Sequence, residues 1–338
     1  MKYILIIITI GSVFFSCNSG RKPPIVSFYY WRTTFEVSEL ERQTLQENDV
    51  KKVYVRYFDV NLDEWGNPRP ESPVRFKHHP RNLEVVPVVF IKNAVMLSNA
   101  LDIDSFAENI IRYIDQIDNV SGNKPCKEIQ IDCDWTLKSR DRFMQFVDAL
   151  KKRSGKKLSA TIRLHQVKYY RTTQIPNVDN AVLMYYNMGK IASDTLNSIY
   201  DRNIALNYVK SLRKYPLSLD IALPIYAWGV HIRDEGVMGL IGKTDKSVFE
   251  KDTNFLVDKH SNIIRVKNSN MSNGRYFLRN DKIKIEDVFE KDLQLMVKDI
   301  KKQLPYTPRE VIFFDLDEFN IKKYRNETQL FKDIANRF

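Results

Sequence analysis

Two aspartates one residue apart, Asp132 and Asp134, sit in the stretch Glu128-Ile129-Gln130-Ile131-Asp132-Cys133-Asp134-Trp135-Thr136. In an extended strand, alternate residues share a face. Gln130, Asp132, Asp134 and Thr136 then line one side, and Ile129, Ile131 and Cys133 the other. Strand rise sets the two carboxylates about 6.6 Å apart, close enough for mutual repulsion to raise one pKa and leave a protonated acid. Such a group suits general acid catalysis. The stretch lies between two helical patterns, which assigns it to a parallel sheet covered by helices. Carboxylates inside such a sheet are costly to desolvate and need partners or a chemical role. The competing reading is an edge strand whose polar face is wet.

The elements that position this strand recur along the chain. Strand-like runs are read at Ile25–Trp31, Val53–Asp59, Leu83–Phe90, the focal segment, Leu158–Leu164, Ala181–Tyr186, Leu217–Tyr226 and Val311–Asp315. Helical patterns separate several of them. Ser38 to Glu47 forms one, and Leu101 to Asp118 carries Ile103, Phe106, Ile110, Ile114 and Ile117 on one face. A third follows the focal strand with Phe143, Phe146, Val147 and Leu150. A fourth is marked by Phe289, Leu293, Met296 and Ile300, and a last helix closes the chain. The link from Asn61 to Asn82 has Gly and Pro but no helical period and reads as a surface loop. Residues 231–285 hold short alternating runs, such as Ile263–Val266 and Arg275–Leu278, and read as a strand-rich insertion. Eight strands with helical connections predict an α/β fold, a (β/α)8 TIM barrel with some helices shortened. A doubly wound open sheet is the alternative, but no Gly-rich turn follows the first strand.

The N-terminus reads differently. Met1-Lys2-Tyr3 precedes the apolar run Ile4 to Phe15 and then Ser16-Cys17. About 12 apolar residues are too few to span a bilayer but suit the core of a secretory signal. A small residue before a cysteine resembles the lipobox of bacterial lipoproteins, which implies acyl chains on Cys17, although Phe14 and Phe15 depart from the usual upstream residues. An ordinary cleaved signal is the competing reading. The domain plan is therefore 1–17 signal peptide and lipidation cysteine, 18–24 tether, and 25–338 one barrel domain. The product is a lipid-anchored protein of the bacterial cell envelope, on its periplasmic face or the cell surface. Cys126 and Cys133 fall on opposite faces if one strand carries both, which argues against a disulfide between them.

The formal charge of +11 is spread along the 338 residues, with its densest run at Lys151–Lys157, and a solvated surface is the default reading. No nucleic-acid motif is present. Attraction to an anionic membrane surface is compatible with the charge. His78, His79, His165, His231 and His260 show no metal-ligand spacing, and no G-x-S-x-G occurs. Neither a metal nor a cofactor is expected.

In a barrel the reactive groups collect at the C-terminal strand ends. Those ends offer Tyr29-Tyr30-Trp31, Arg56 with Asp59, the focal carboxylates, Arg163 with His165, and Tyr185-Tyr186-Asn187. The seventh adds Tyr226 and Trp228, and the eighth Asp315, Asp317 and Glu318. Rings mixed with carboxylates and amides suit a carbohydrate, whose C–H faces stack on aromatics while its hydroxyls seek polar partners. Taken singly, each of these residues is better explained by packing or ion pairing at a barrel rim.

Asp132-Cys133-Asp134-Trp135 resembles the D-x-D-W core of the family-18 glycoside hydrolases, the chitinases and endo-β-N-acetylglucosaminidases. Met184-Tyr185-Tyr186-Asn187 is similar to that family's M-x-Y-D, and Leu223-Pro224-Ile225-Tyr226 to its L-P-x-Y. The Gln130–Asp134 segment also resembles bacterial lipoproteins that carry a Q-x-D-x-D strand. The resemblance implies Asp132, Asp134 and Tyr186 as the catalytic set, with Asp134 orienting the substrate's N-acetyl group and Asp132 behind it. It also implies that the substrate amide, rather than the enzyme, is the nucleophile. Substrate contacts are expected from Gln130, Thr136, Tyr30, Trp31, Arg56, Asn187, Tyr226, Trp228 and Asp317. The departures are specific. Thr136 stands where the family has its proton-donating Glu, Ile129 replaces the first Asp of D-x-x-D-x-D-x-E, Asn187 replaces an Asp, and Phe314 replaces a floor Trp. Three functions follow. One is a glycoside-hydrolase-like enzyme with a rearranged acid, from Asp132, Asp134, Asp317 or Glu318. The second is a barrel that binds glycans without cutting them, and the third a structural envelope lipoprotein. The missing Glu weighs toward the second reading, but the two retained aspartates tip the balance narrowly to the first, with the binding barrel as the alternative.

Overall fold

A computed structural model of the protein describes residues 22–80, 82–272 and 274–338. The signal peptide and lipidation site read at 1–17 lie outside the described residues, as does most of the tether. Eight parallel strands are β1 (Ile25–Tyr30), β2 (Lys52–Leu62), β3 (Glu84–Ile91) and β4 (Glu128–Cys133), followed by β5 (Lys157–Arg163), β6 (Asn180–Met184), β7 (Leu219–Pro224) and β8 (Glu310–Phe314). They pair in sequence order, and β1 joins both β8 and β2. The sheet is therefore closed, and the open doubly wound alternative is excluded. It is a (β/α)8 barrel.

The helices on the outside follow from capping and apolar stripes. Helix α1 (Glu39–Glu47) begins in a capping box, in which Ser38 accepts from the Glu41 amide and Glu41 accepts from the Ser38 amide. Helix α2 (Ile103–Ser121) starts on Asp102 and buries Phe106, Ile110, Ile114 and Ile117. It stops at Gly122, whose φ of 63° is left-handed. Helix α3 (Arg140–Ser154) buries the expected Phe143, Phe146, Val147 and Leu150. Helices α4 (Arg202–Val209), α5 (Glu290–Lys301) and α6 (Leu330–Asn336) complete the sleeve. In α5, Leu293, Met296 and Ile300 are buried as the spacing predicts, but Phe289 is the exposed residue before the helix. No helix among the described residues is long and apolar enough to cross a membrane.

Two connections depart from the regular pattern. Between β2 and β3 no helix occurs among the described residues. β2 continues to Leu62, and Asp59–Leu62 pairs antiparallel with Pro68–Glu71, so the expected loop over 61–82 holds a hairpin. A register shift between Arg56 and Phe58 lets Tyr57 turn outward and donate to Asp118 on α2 at 2.6 Å. The insertion after β7 begins at Trp228 and runs to Glu286. It forms a five-stranded antiparallel sheet around its own core of Phe249, Phe255, Ile264, Val266, Phe277, Ile283 and Ile285.

The barrel interior is polar at its N-terminal end. Lys52 of β2 reaches Glu128 of β4 at 3.2 Å and Glu310 of β8 at 3.0 Å. Neither strand is its neighbour, so these contacts cross the lumen. Ser159 donates to Glu128 at 2.7 Å, and Tyr54 donates to Glu310 at 3.0 Å. One layer up, Tyr29 donates to Gln130 at 2.7 Å. The apolar core lies instead between strands and helices, as where Phe28 and Phe313 meet Phe331 of α6. Replacing Lys52 with Met is expected to lower stability at pH 7 by about 3–5 kcal/mol, because two buried carboxylates lose their cation. Burial already raises the Glu310 pKa against the pull of Lys52. Folded Glu310 therefore takes up its proton at a higher pH than the unfolded chain does, and the deficit shrinks as pH falls. Urea unfolding at pH 7 and pH 5 checks both; equal midpoints for mutant and wild type at pH 7 would show that the cation is dispensable.

Candidate functional site

The C-terminal strand ends converge on a bowl of aromatic rings. Phe314, last residue of β8, lies at its centre. Its ring centroid is 5.3 Å from Trp31, 5.4 Å from Tyr186, 5.5 Å from Tyr29 and 5.7 Å from Tyr226. Tyr226 in turn meets Trp228 at 5.3 Å. Alternation explains the set, since Tyr29 and Phe314 occupy inward positions of adjacent strands, while Tyr186 and Tyr226 each follow the ends of β6 and β7 by two residues.

The acidic wall comes from β4 and β5. Asp132 is only 6% exposed and accepts from Thr161 Oγ1 at 2.6 Å. Burial pushes its pKa up to about 6; the Thr161 bond opposes this and the Asp134 charge adds to it. Asp134 lies just past the strand, where Arg163 of β5 holds both its oxygens. Arg163 Nη2 donates to Oδ2 at 2.5 Å, and Nε donates to Oδ1. The chain leaves this wall because Trp135 turns under the outer helices. It stacks on Phe143 at 4.4 Å and donates to the Thr173 carbonyl at 3.2 Å.

The opposite wall is built with the insertion. Tyr226 Oη donates to Asn187 Oδ1 at 2.5 Å, with Asn187 held at a left-handed φ of 52°. Trp228 Nε1 donates to Glu286 Oε2 at 2.8 Å. Glu286 is itself buried, accepts from the Ser198 amide at 3.1 Å and faces Lys284 at 2.8 Å. A third side carries Asp315 and Asp317. Asp317 accepts from the Phe319 amide at 3.0 Å and from Lys243 at 2.5 Å. Asp315 accepts from Asn320 Nδ2 at 2.5 Å, and burial, with the neighbouring Asp317 charge, raises its pKa to about 7. Arg56 pairs with Asp59 at 2.6 Å and stands 5.8 Å from the Trp31 ring centroid.

Most of the sequence-derived set therefore comes together: Asp132, Asp134, Tyr186, Trp31, Arg56, Asn187, Tyr226, Trp228 and Asp317 surround one mouth. Two do not line it. Tyr30 points out of the barrel, where its hydroxyl donates to the Thr34 carbonyl at 2.7 Å and its ring meets Phe35; Tyr29 takes the inward position. Gln130 is fully buried one layer below Asp132, bonded to Tyr29 and to Ser159. Thr136 is exposed in the turn after β4, its Oγ1 3.4 Å from Ser139 Oγ. Glu318 is exposed on the first turn of the short helix Glu318–Lys322, and His165 is exposed on Leu164–Lys168. Sequence reasoning missed Glu286 and Lys243. The alternation Lys282-Ile283-Lys284-Ile285-Glu286 marks a two-faced strand, but nothing in it says which wall receives the polar face. Among the described residues, no group of three or more His, Cys, Asp or Glu is gathered as a metal site requires.

Solved structures of similar architecture include the spore cortex-lytic enzyme SleL of Bacillus cereus, at 13% identity over 94% of this chain and 75% of that one, with a TM-score of 0.55. SleL of Bacillus megaterium matches at 11% identity over 95% and 75%, with a TM-score of 0.54. A chitinase from Bacteroides thetaiotaomicron matches at 11% identity over 94% of this chain and 96% of that one, with a TM-score of 0.55. The fold is shared with chitinases. No family model and no curated protein sequence matches the chain.

Because the raised Asp132 pKa means that the folded state keeps a proton the unfolded chain releases near pH 4, ionising Asp132 costs stability as pH rises toward 6. Asp132→Asn is therefore expected to be about as stable as wild type at pH 4 and more stable above pH 6, by roughly 2–3 kcal/mol. Denaturation of both proteins from pH 4 to 8 measures the gap; parallel curves would show that Asp132 titrates normally.

Proposed function

We propose that the barrel mouth binds a glycan, with N-acetylhexosamine oligomers as the substrate class, and holds it without cleavage. The observation that carries this reading is the bowl around Phe314. The part-exposed rings of Phe314, Trp31 and Trp228 offer stacking surfaces for sugar C–H faces over a floor of the buried Tyr29, Tyr186 and Tyr226, and Asn187 and Arg56 stand at its rim to meet hydroxyl and amide groups. The shared fold with chitinases supports a glycan as the partner. Binding is favoured over hydrolysis by two features. Thr136 occupies the position of the resembled family's acid and cannot donate a proton near neutral pH. Asp134, which in that family orients the substrate amide, has both oxygens taken by Arg163.

One observation favours a second reading, a glycoside-hydrolase-like enzyme with an atypical acid. A buried carboxyl with a pKa near 6, such as Asp132, holds a transferable proton close to neutrality. The lipobox-like Ser16-Cys17 further supports an exported lipoprotein carried on the bacterial envelope.

A glycan array followed by titration with chitin oligomers tests the proposal. Wild type is expected to retain its ligand for hours with no new reducing ends, and Phe314→Ala to weaken binding by about tenfold or more, a loss of one stacking contact. Release of reducing ends would replace binding with the second reading, and Asp132→Asn should then abolish it. Absence of binding to any N-acetylhexosamine oligomer would end both.

A further inference from the structure

β2 does not stop where the barrel does. Its pairing with β3 runs to Val60 opposite Ile91, the C-terminal end of β3. The strand then continues to Leu62 and folds back through Pro68–Glu71, so the two form an arm that stands past the mouth. Leu62 is three residues beyond Asp59, which carries the arm roughly 10 Å outward. Its tip is the loop Glu64-Trp65-Gly66, closed by the Asp63 amide donating to the Asn67 carbonyl at 2.9 Å. Gly66 takes the left-handed φ of 84° that such a short hairpin loop needs. Asp63 Oδ1 accepts from the amides of Trp65 and Asn67 at 3.0 and 2.8 Å. Ser98, beyond β3, donates from Oγ to the Gly66 carbonyl at 3.3 Å and braces the tip from the side. The loop is tied into one shape.

What it carries is a bare indole. Of the four tryptophans, Trp135 is buried, Trp31 and Trp228 are half-buried in the bowl, and Trp65 is 76% exposed. The faces of the arm are equally defined. Phe58 packs on Tyr113 of α2 with ring centroids 4.8 Å apart, so Phe58, Val60 and the cross-strand Pro70 turn outward. Alternation gives the other face to Asp59 and Asn61, with Glu71 and Arg69 opposite them on the ladder. Asp59 already belongs to the bowl, since its partner Arg56 stands by Trp31. Phe90, half-buried, lies in register between Asp59 and Asp132 and adds a ring at this side of the mouth. A polar row therefore leads from the bowl to the tip that bears Trp65.

We propose that this arm is a second sugar-stacking site, with Trp65 as its end platform, and that it lengthens the bowl. The inference rests on the glycan reading and narrows the ligand to oligomers long enough to reach both sites. Glu64 and Asn67 beside the ring are exposed and polar, a setting that suits a hydroxyl-bearing sugar stacked on the indole better than the apolar interior of a bilayer.

Calorimetric titration of the full chain with chitin dimer and chitin hexamer tests this. Wild type is expected to bind the hexamer about tenfold or more tighter than the dimer. Trp65→Ala should remove most of that gap while leaving dimer affinity and the urea midpoint unchanged, because the ring is largely bare. Trp65→Phe, which keeps a ring, should recover much of the gap, and Phe314→Ala should weaken both ligands. Equal loss for both ligands in Trp65→Ala, or loss for neither, would overturn the arm and leave the bowl standing. Failure of wild type to bind either ligand would end the glycan reading and the arm with it. Wild type that binds phosphatidylcholine vesicles through Trp65, with no preference for the hexamer, would assign the tip to a membrane and refute the proposal.

Discussion

A carboxylate inside a closed barrel must be paired, protonated or exposed, and the interior of this molecule is ordered by that rule. At the base, Lys52 serves Glu128 and Glu310 together, and Ser27, Ser159 and Tyr54 fill their remaining acceptor sites. One layer higher the position on β4 is an amide, Gln130, which needs no cation. Above it Asp132 has a hydroxyl donor but no cation in contact, so its pKa rises. At the mouth Asp134 recovers a full partner in Arg163. Compensation is complete at both ends of the strand and incomplete at one residue between them. That residue sits directly behind the aromatic bowl, where its charge is felt by Tyr29 and Tyr186.

The same rule explains which parts were legible in the sequence. Strand positions were readable because apolar residues such as Ile129, Ile131, Leu158 and Leu183 mark the outer face with period two, and helices such as α2 mark theirs with period 3.6. Barrel closure followed from the strand count and the absence of a Gly-rich turn. The site was legible only to the level of strand ends. Tyr29-Tyr30 offers two identical ring donors, and one residue of parity decides which faces inward. Gln130 lies on the correct face but too deep, because the face of a strand says nothing about height in the barrel. The Arg163–Asp134 pair joins two strands whose mutual stagger is not written locally. The hairpin on β2 escaped notice because a Pro-containing edge strand carries almost no periodic signal.

The bowl also depends on the insertion. Trp228 opens the insertion's sheet, and Glu286 closes it beside Trp228, so the ring farthest from Phe314 is fixed by the strand that leads back to the barrel. Lys284 and Glu286 are buried on the face opposite the insertion's own core, packed on the Asp194–Ser198 segment. Polar contacts thus help to seat the insertion, with Val230 and Ile232 buried on the same face and the remaining apolar residues forming its own core. A wall attached in this way places its aromatic with directional bonds, which suits a groove that must present ring faces at fixed angles.

Strand β8 carries both Glu310, the second acceptor of Lys52, and Phe314, the hub of the rings. It is also the last of the eight barrel strands in chain order. Until it inserts between β1 and β7, the base has a missing counter-ion and the mouth has no centre. Completion of the ring and assembly of the bowl are consequently a single late event, and a nascent chain ending short of residue 314 has neither. The bowl is complete only once residue 314 has been made.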